Sequence, residues 1–141
     1  MAGAAGYNGR VEDAAAAFLI KAEQSLAGAQ SEWDNGRNDN CTNRCYYAAF
    51  QAAIAALLRY GVRPTGPKWS HSFVQARFSG DLIGRPKLYP SMLRDVLGRL
   101  LILRQVADYE IAAVTRVQSY RASHSAQTLV EAVLGGGGMS Q

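Results

Sequence analysis

The sequence predicts an all-α fold, an antiparallel bundle of four to five helices, and three observations carry that prediction. Alanine and leucine dominate, while runs of Val, Ile and Thr are scarce, a bias that favours helices over strands. Apolar residues recur every three or four positions through most of the chain. Nothing alternates with period two for long enough to build a sheet. At 141 residues the chain has the size of one domain. A domain this long buries roughly two thirds of the surface its unfolded form exposes, so it needs no disulfide or metal to fold.

The first predicted helix runs from Glu12 to Asp34, with Phe18, Leu19, Ala22, Leu26, Ala29 and Trp33 as its apolar stripe, and Asn35-Gly36 stops it. The second runs from Asp39 to Tyr60, with Tyr47, Phe50, Ile54, Leu57 and Leu58 on one side. Asp39 or Asn40 is its candidate cap, and Gly61 with Pro64 ends it. A linker with turn chemistry, GVRPTGPKW, leads to a short third helix over Ser70–Phe78, with Phe73, Val74 and Phe78 inward. The stretch SGDLIGRPKLYP reads as a loop. The fourth helix spans Ser91–Tyr109, with Leu93, Val96, Leu97, Leu100, Leu103 and Val106 inward. The fifth spans Val114–Leu134, with Ala122, Ala126, Leu129, Val130 and Val133 inward. The expected bundle therefore covers residues 12–134, between a mobile, small-residue segment at 1–11 and a mobile Gly-rich tail at 135–141.

Charge is unevenly placed. From Arg59 to Arg104 nine basic residues face two acids, whereas before residue 41 the acids lead six to three. Twelve of the fifteen basic residues are Arg, whose planar fork suits phosphate. The basic middle segment fits an RNA or nucleotide partner; it equally fits a solvated surface, or Arg stems covering apolar faces. Cys41 and Cys45 share a helical face but have no companion ligands, so reduced thiols in core or groove packing are expected rather than a metal site. The start, MAGAAGYNGR, lacks the pattern of a signal peptide, and no apolar run suffices for a membrane span; a cytoplasmic location is expected. No Gly-rich phosphate loop or nucleophile motif appears, so no cofactor is expected.

Residues 43–58, NRCYYAAFQAAIAALL, resemble the signature helix of the HEPN superfamily, in its branch of small standalone prokaryotic proteins. That helix shows an Asn-Arg, a pair of tyrosines, a small residue, Phe, His and then an Ala/Leu-rich run. Asn43, Arg44, Tyr46, Tyr47, Phe50 and Leu57-Leu58 fall in register with it. The segments LRQVADYE (103–110) and KWSHSFV (68–74) are similar to two further segments of the same branch, in the same order. The resemblance covers about residues 12–134. It implies a four- to five-helix bundle that usually pairs as a homodimer and belongs to a defence or toxin–antitoxin system. An operon-encoded nucleotidyltransferase is often the partner. It also implies a metal-independent ribonuclease chemistry resting on an Arg and a His with four to six residues between them on one helix. In such chemistry the His moves the proton of a ribose 2′-hydroxyl or of the leaving oxygen, and the Arg holds the phosphate.

Here the sequence departs from the pattern, because the motif His position holds Gln51. A Gln donates and accepts hydrogen bonds but cannot carry a proton. The catalytic candidates are accordingly Arg44, Gln51 and His71, the last as a substitute acid or base, with capping or packing of a turn as its plainer role. His124 reads as a surface residue. The candidate RNA or partner groove comprises Asn43, Arg44, Tyr46, Gln51, Arg104 and Asp108. Arg44 is read either as a phosphate contact or as the partner of Asp108; Arg104 and Asp108, four apart, can also pair with each other. Of the two tyrosines, Tyr47 is expected in the core and Tyr46 in the groove, where it can stack on bases. Some HEPN pairs modify a Tyr two residues after the His; here that position is Ala53, which does not support that mode. Trp33 and Trp69 read as core or interface anchors.

Overall fold

A computed structural model describes residues 2–84 and 88–136, with side chains from residue 9 onward. Arg85, Lys87 and the tail 137–141 lie outside the described residues. Among the described residues the fold is all-helical and without strands. Its helices are α1 (Ala2–Asp34), α2 (Asn38–Arg59), α3 (His71–Arg77), α4 (Val96–Tyr109) and α5 (Arg116–Leu134). None is long and apolar enough to cross a membrane.

Helix α2 is the centre of the bundle. It packs most extensively on α1, then on α5 and α4. Ala48, Ala49, Ala52, Ala53 and Ala55 are fully buried along it, and Ile54, Leu57 and Leu58 carry the bulk of its packing. The small alanines let neighbouring helices approach on several sides at once, and alanine has the highest helix propensity. From α1 the core receives Ala15, Leu19, Ala22 and Ala29, with Phe18, Leu26 and Trp33 packed half-buried against it. The inward residues expected for α5, namely Ala122, Ala126, Leu129, Val130 and Val133, are all buried. Gly36 (φ 76°) and Gly61 (φ 91°) take left-handed backbone where α1 and α2 end, a conformation that costs glycine little.

The expected boundaries shift in four places. Helix α1 starts at Ala2 rather than Glu12. Extending an anchored helix is cheap, and the alanines at 2, 4 and 5 favour it despite three glycines. Among the side chains described, from residue 9 onward, the first that is buried on α1 is nevertheless Ala15. Helix α2 is not capped by Asp39 or Asn40; its N-cap is Arg37, without a side-chain bond. The Asp39 carboxylate instead accepts from the Val114 amide at 2.8 Å, which ties the α4–α5 connection to the start of α2.

The stretch read as a loop after α3 continues as a π-helical turn over Phe78–Gly84. The wider turn brings Phe78, Leu82 and Ile83 all into the core, and their burial outweighs the Ser-Gly-Asp turn signal. The Leu88 and Tyr89 amides then donate to the Leu82 carbonyl. A 3-10 turn at Ser91–Leu93 precedes α4, whose regular part begins at Val96.

Helix α5 opens with a capping box. Thr115 Oγ1 accepts from the Gln118 amide at 3.1 Å, and the Gln118 side chain accepts from the Thr115 amide at 2.9 Å. Thr115→Ala is expected to cost about 1 kcal/mol of unfolding free energy in a denaturant titration. An unchanged midpoint would show that tertiary packing alone holds the start of α5.

Candidate functional site

Between Cys41 and Leu58, five residues of α2 escape burial: Asn43, Arg44, Tyr47, Phe50 and Gln51. Their spacing places them on one face, so the segment resembling the HEPN motif presents its polar residues to solvent as a single strip. Two walls flank this strip, one from α1 and one from α4.

On the α1 side, Lys21, Gln24, Ser25 and Gly28 line an open depression of about 400 Å³ together with Arg44 and Gln51. Ser25 Oγ donates to Gln51 Oε1 at 2.8 Å. The Arg44 stem passes over Gly28. Arg44 takes part in none of the ion pairs Arg37–Glu32, Arg59–Glu12, Arg77–Asp81 and Arg104–Asp108. The depression thus holds two cations and neutral polar groups, with no carboxylate in its lining. Such a lining suits an anion with several acceptor oxygens, such as a phosphate diester.

On the α4 side, Asn43 Nδ2 reaches both Asp108 carboxylate oxygens at 3.2 and 3.1 Å, and Arg104 pairs with Asp108 at 3.7 Å. Of the two pairings open to Asp108, the structure therefore takes the one with Arg104 and not the one with Arg44. Arg104 Nη1 also donates to Tyr47 Oη at 2.9 Å. Its guanidinium lies 5.0 Å from the Tyr46 ring centre and 5.5 Å from that of Tyr47.

The two tyrosines exchange their expected places. Tyr46 is buried and Tyr47 is half-exposed on the strip. The reason is that α2 is enclosed by α1, α4 and α5, so the stripe of large residues does not mark the core side alone. Tyr46 points to the start of α3, where its hydroxyl meets His71 Nδ1 at 3.0 Å. Burial pushes the Tyr46 hydroxyl up to about 12, so it keeps its proton. His71 is held below its ordinary value by burial first and by Arg104 second, so its imidazole is neutral where it shares the hydrogen bond with the Tyr46 hydroxyl.

This has a consequence for pH. The unfolded chain takes up a proton at His71 near pH 6.5, before the folded one does. The stability contributed here is present above that pH and is lost as pH falls through the depressed folded value. Unfolding free energies at about pH 7.5 and about pH 5.5 are expected to differ, and His71→Gln to narrow the difference. An unaltered difference in that variant would place the pH dependence elsewhere.

Arg44 and Gln51 thus share one depression, while Asn43, Tyr46, Arg104, Asp108 and His71 gather on the other flank of α2. Arg44 and Tyr46 are two positions apart, roughly 200° around the helix, so His71 and Arg44 address different sides. His71 is the first residue of α3, directly after the capping residue Ser70, and His124 is exposed on α5. Cys41 and Cys45 are buried thiols whose sulfurs both contact Ser123 Oγ, at 3.3 and 3.4 Å. The wall residues Lys21 and Ser25 are absent from the sequence-derived candidates, since only the packing of α1 on α2 brings them to Gln51.

The model of the HEPN domain matches residues 15–136. The chain belongs to the HEPN family. The match takes in most of the chain and includes both flanks of the strip. No curated protein matches the chain. The all-helical bundle is the architecture that this HEPN domain was expected to have.

Proposed function

We propose that this HEPN-domain protein binds RNA on the exposed strip of α2, within a prokaryotic defence or toxin–antitoxin system, and has lost the family's proton-transfer residue. The observation that carries the reading is the depression holding Arg44, Lys21 and Gln51 without a carboxylate. Arg44 supplies a bidentate cation for a phosphate. Gln51, at the motif position of the His, keeps hydrogen-bonding capacity and lacks a titrating group. His71 is occupied by Tyr46 on the other flank, which favours binding over cleavage. A homodimer and an operon-encoded nucleotidyltransferase partner accompany this reading as implications of the HEPN resemblance.

The test is fluorescence anisotropy with a labelled RNA, run across a salt series, beside a metal-free cleavage assay. Affinity is expected to fall with salt, and Arg44→Ala to weaken binding roughly tenfold or more while reducing the salt slope by about one. No cleavage is expected from the unaltered chain. Metal-independent cleavage that disappears in Arg44→Ala would overturn the non-cleaving part of the reading. Absence of any salt-dependent RNA binding would leave a purely protein-binding module in its place.

A further inference from the structure

Beside the phosphate-binding depression runs a band of aromatic side chains that the reading above does not use. Tyr47 and Phe50 on the α2 strip and Trp69 just ahead of α3 are packed against the core but not buried, so part of each ring is left to solvent. Each ring is backed from beneath. Phe50 stacks on buried Tyr46 at 5.6 Å and 20°, Tyr47 meets Tyr46 edge-on at 5.0 Å, and Trp69 rests edge-on against Phe18 at 6.4 Å. Phe18 lies one turn before Lys21 on α1, so its contact with Trp69 brings that ring to the α1 wall of the depression, where it joins the band. Tyr47 lies one turn from Arg44, and Phe50 adjoins Gln51, which places the rings next to the depression.

We infer that Tyr47, Phe50 and Trp69 form a stacking shelf for the unpaired bases of a single-stranded RNA whose backbone lies in the Arg44 depression. The inference rests on the RNA-binding reading and specifies the ligand further. Three considerations favour nucleic-acid bases over another occupant. The surroundings are cationic: Lys21 and Arg44 line the depression, and Lys68 precedes Trp69 in the chain. The acid on the α4 flank, Asp108, is already engaged by Arg104 and Asn43. Rings held by other rings lose little side-chain freedom on binding, and a flat π-face accepts any unstacked base. A duplex keeps its bases stacked on one another and cannot offer them to such a shelf, so the ligand is unpaired.

The experiment compares two single-stranded oligomers of equal length and charge, one carrying uracil bases and one abasic ribose-phosphate. The base-bearing oligomer is expected to bind tighter. Trp69→Ala is expected to weaken it roughly five- to a hundredfold, with Trp69→Phe largely restoring it and neither change affecting the abasic oligomer. Arg44→Ala should weaken both oligomers alike. As a control for folding, Trp69 fluorescence in a Trp33→Phe background should be quenched when the base-bearing oligomer is added. Equal binding of the two oligomers, insensitive to Trp69→Ala and without quenching, overturns the shelf while leaving RNA binding intact. No binding of either oligomer removes the RNA reading, and the shelf with it. A Trp69→Ala chain that changes its mass by light scattering but keeps its RNA affinity would show that the band joins protein to protein, which also overturns the shelf.

Discussion

Gln51→His is expected to turn this protein into a metal-independent ribonuclease. The substitution needs no new architecture, because position 51 already opens on the depression that holds Arg44. Ser25 Oγ, now 2.8 Å from the Gln51 side-chain oxygen, is in place to hydrogen-bond an imidazole and fix its orientation. The nearby cations favour the neutral form of that imidazole, which is the form that accepts a proton from a 2′-hydroxyl. A positioned general base contributes about 10²–10⁴-fold to rate. The variant should therefore cut RNA at least about a hundredfold faster than the unaltered chain, with a pH profile that rises through the imidazole's titration. Adding Arg44→Ala should abolish the gain, because the phosphate loses its cation. The measurement is single-turnover cleavage of a labelled RNA in the presence of a chelator. A Gln51→His protein that folds and binds RNA but stays inert would mean that the strip is not a dormant active site.

Phe78→Ala is expected to produce the largest loss of stability, about 3–5 kcal/mol. Phe78 is 1% exposed, at the junction where α3 passes into the π-helical turn, and its ring lies 5.4 Å from that of Tyr89. Removing it leaves a cavity between the turn and the core that backbone hydrogen bonds to the Leu82 carbonyl hold open, so collapse is limited. The same turn delivers Leu82 and Ile83 to the core, so the damage should spread to its packing. Denaturant unfolding followed by circular dichroism reads the effect. A cost below about 1 kcal/mol would show that the π-helical turn contributes little and that the segment behaves as the loop its turn residues suggested.

These two substitutions also separate what could be read from residues alone from what could not. The helices of the bundle, the inward face of α5, the inward Val96, Leu97 and Leu100 of α4, and the stops at Gly36 and Gly61 follow from periodicity and turn chemistry, which are local properties, whereas Leu103 and Val106 of α4 are only half-buried. The π-helical turn does not, because Ser-Gly-Asp and Gly-Arg-Pro carry stronger local signals than three apolar residues whose destination is distant. Among the candidate residues, the Arg104–Asp108 pairing was legible as a four-residue spacing on one helix. The exchange of Tyr46 and Tyr47 was not, since a helix surrounded on three sides has no single buried stripe to find.

The sequence by itself determined the all-helical class and the order of the helices, and Gln51 as the counterpart of the motif His is its reading by resemblance. Only the tertiary structure decided which side of α2 meets solvent, that Arg44 stands without an acid partner among the described residues, and that His71 belongs to Tyr46. The physical reason is distance along the chain. Helix formation is settled within a few neighbours, whereas Ser25 and Gln51 are 26 residues apart, and Asn43 and Asp108 are 65 apart. Such pairs meet only when the burial of alanine-rich α2 among its neighbours sets how far each helix is rotated about its axis.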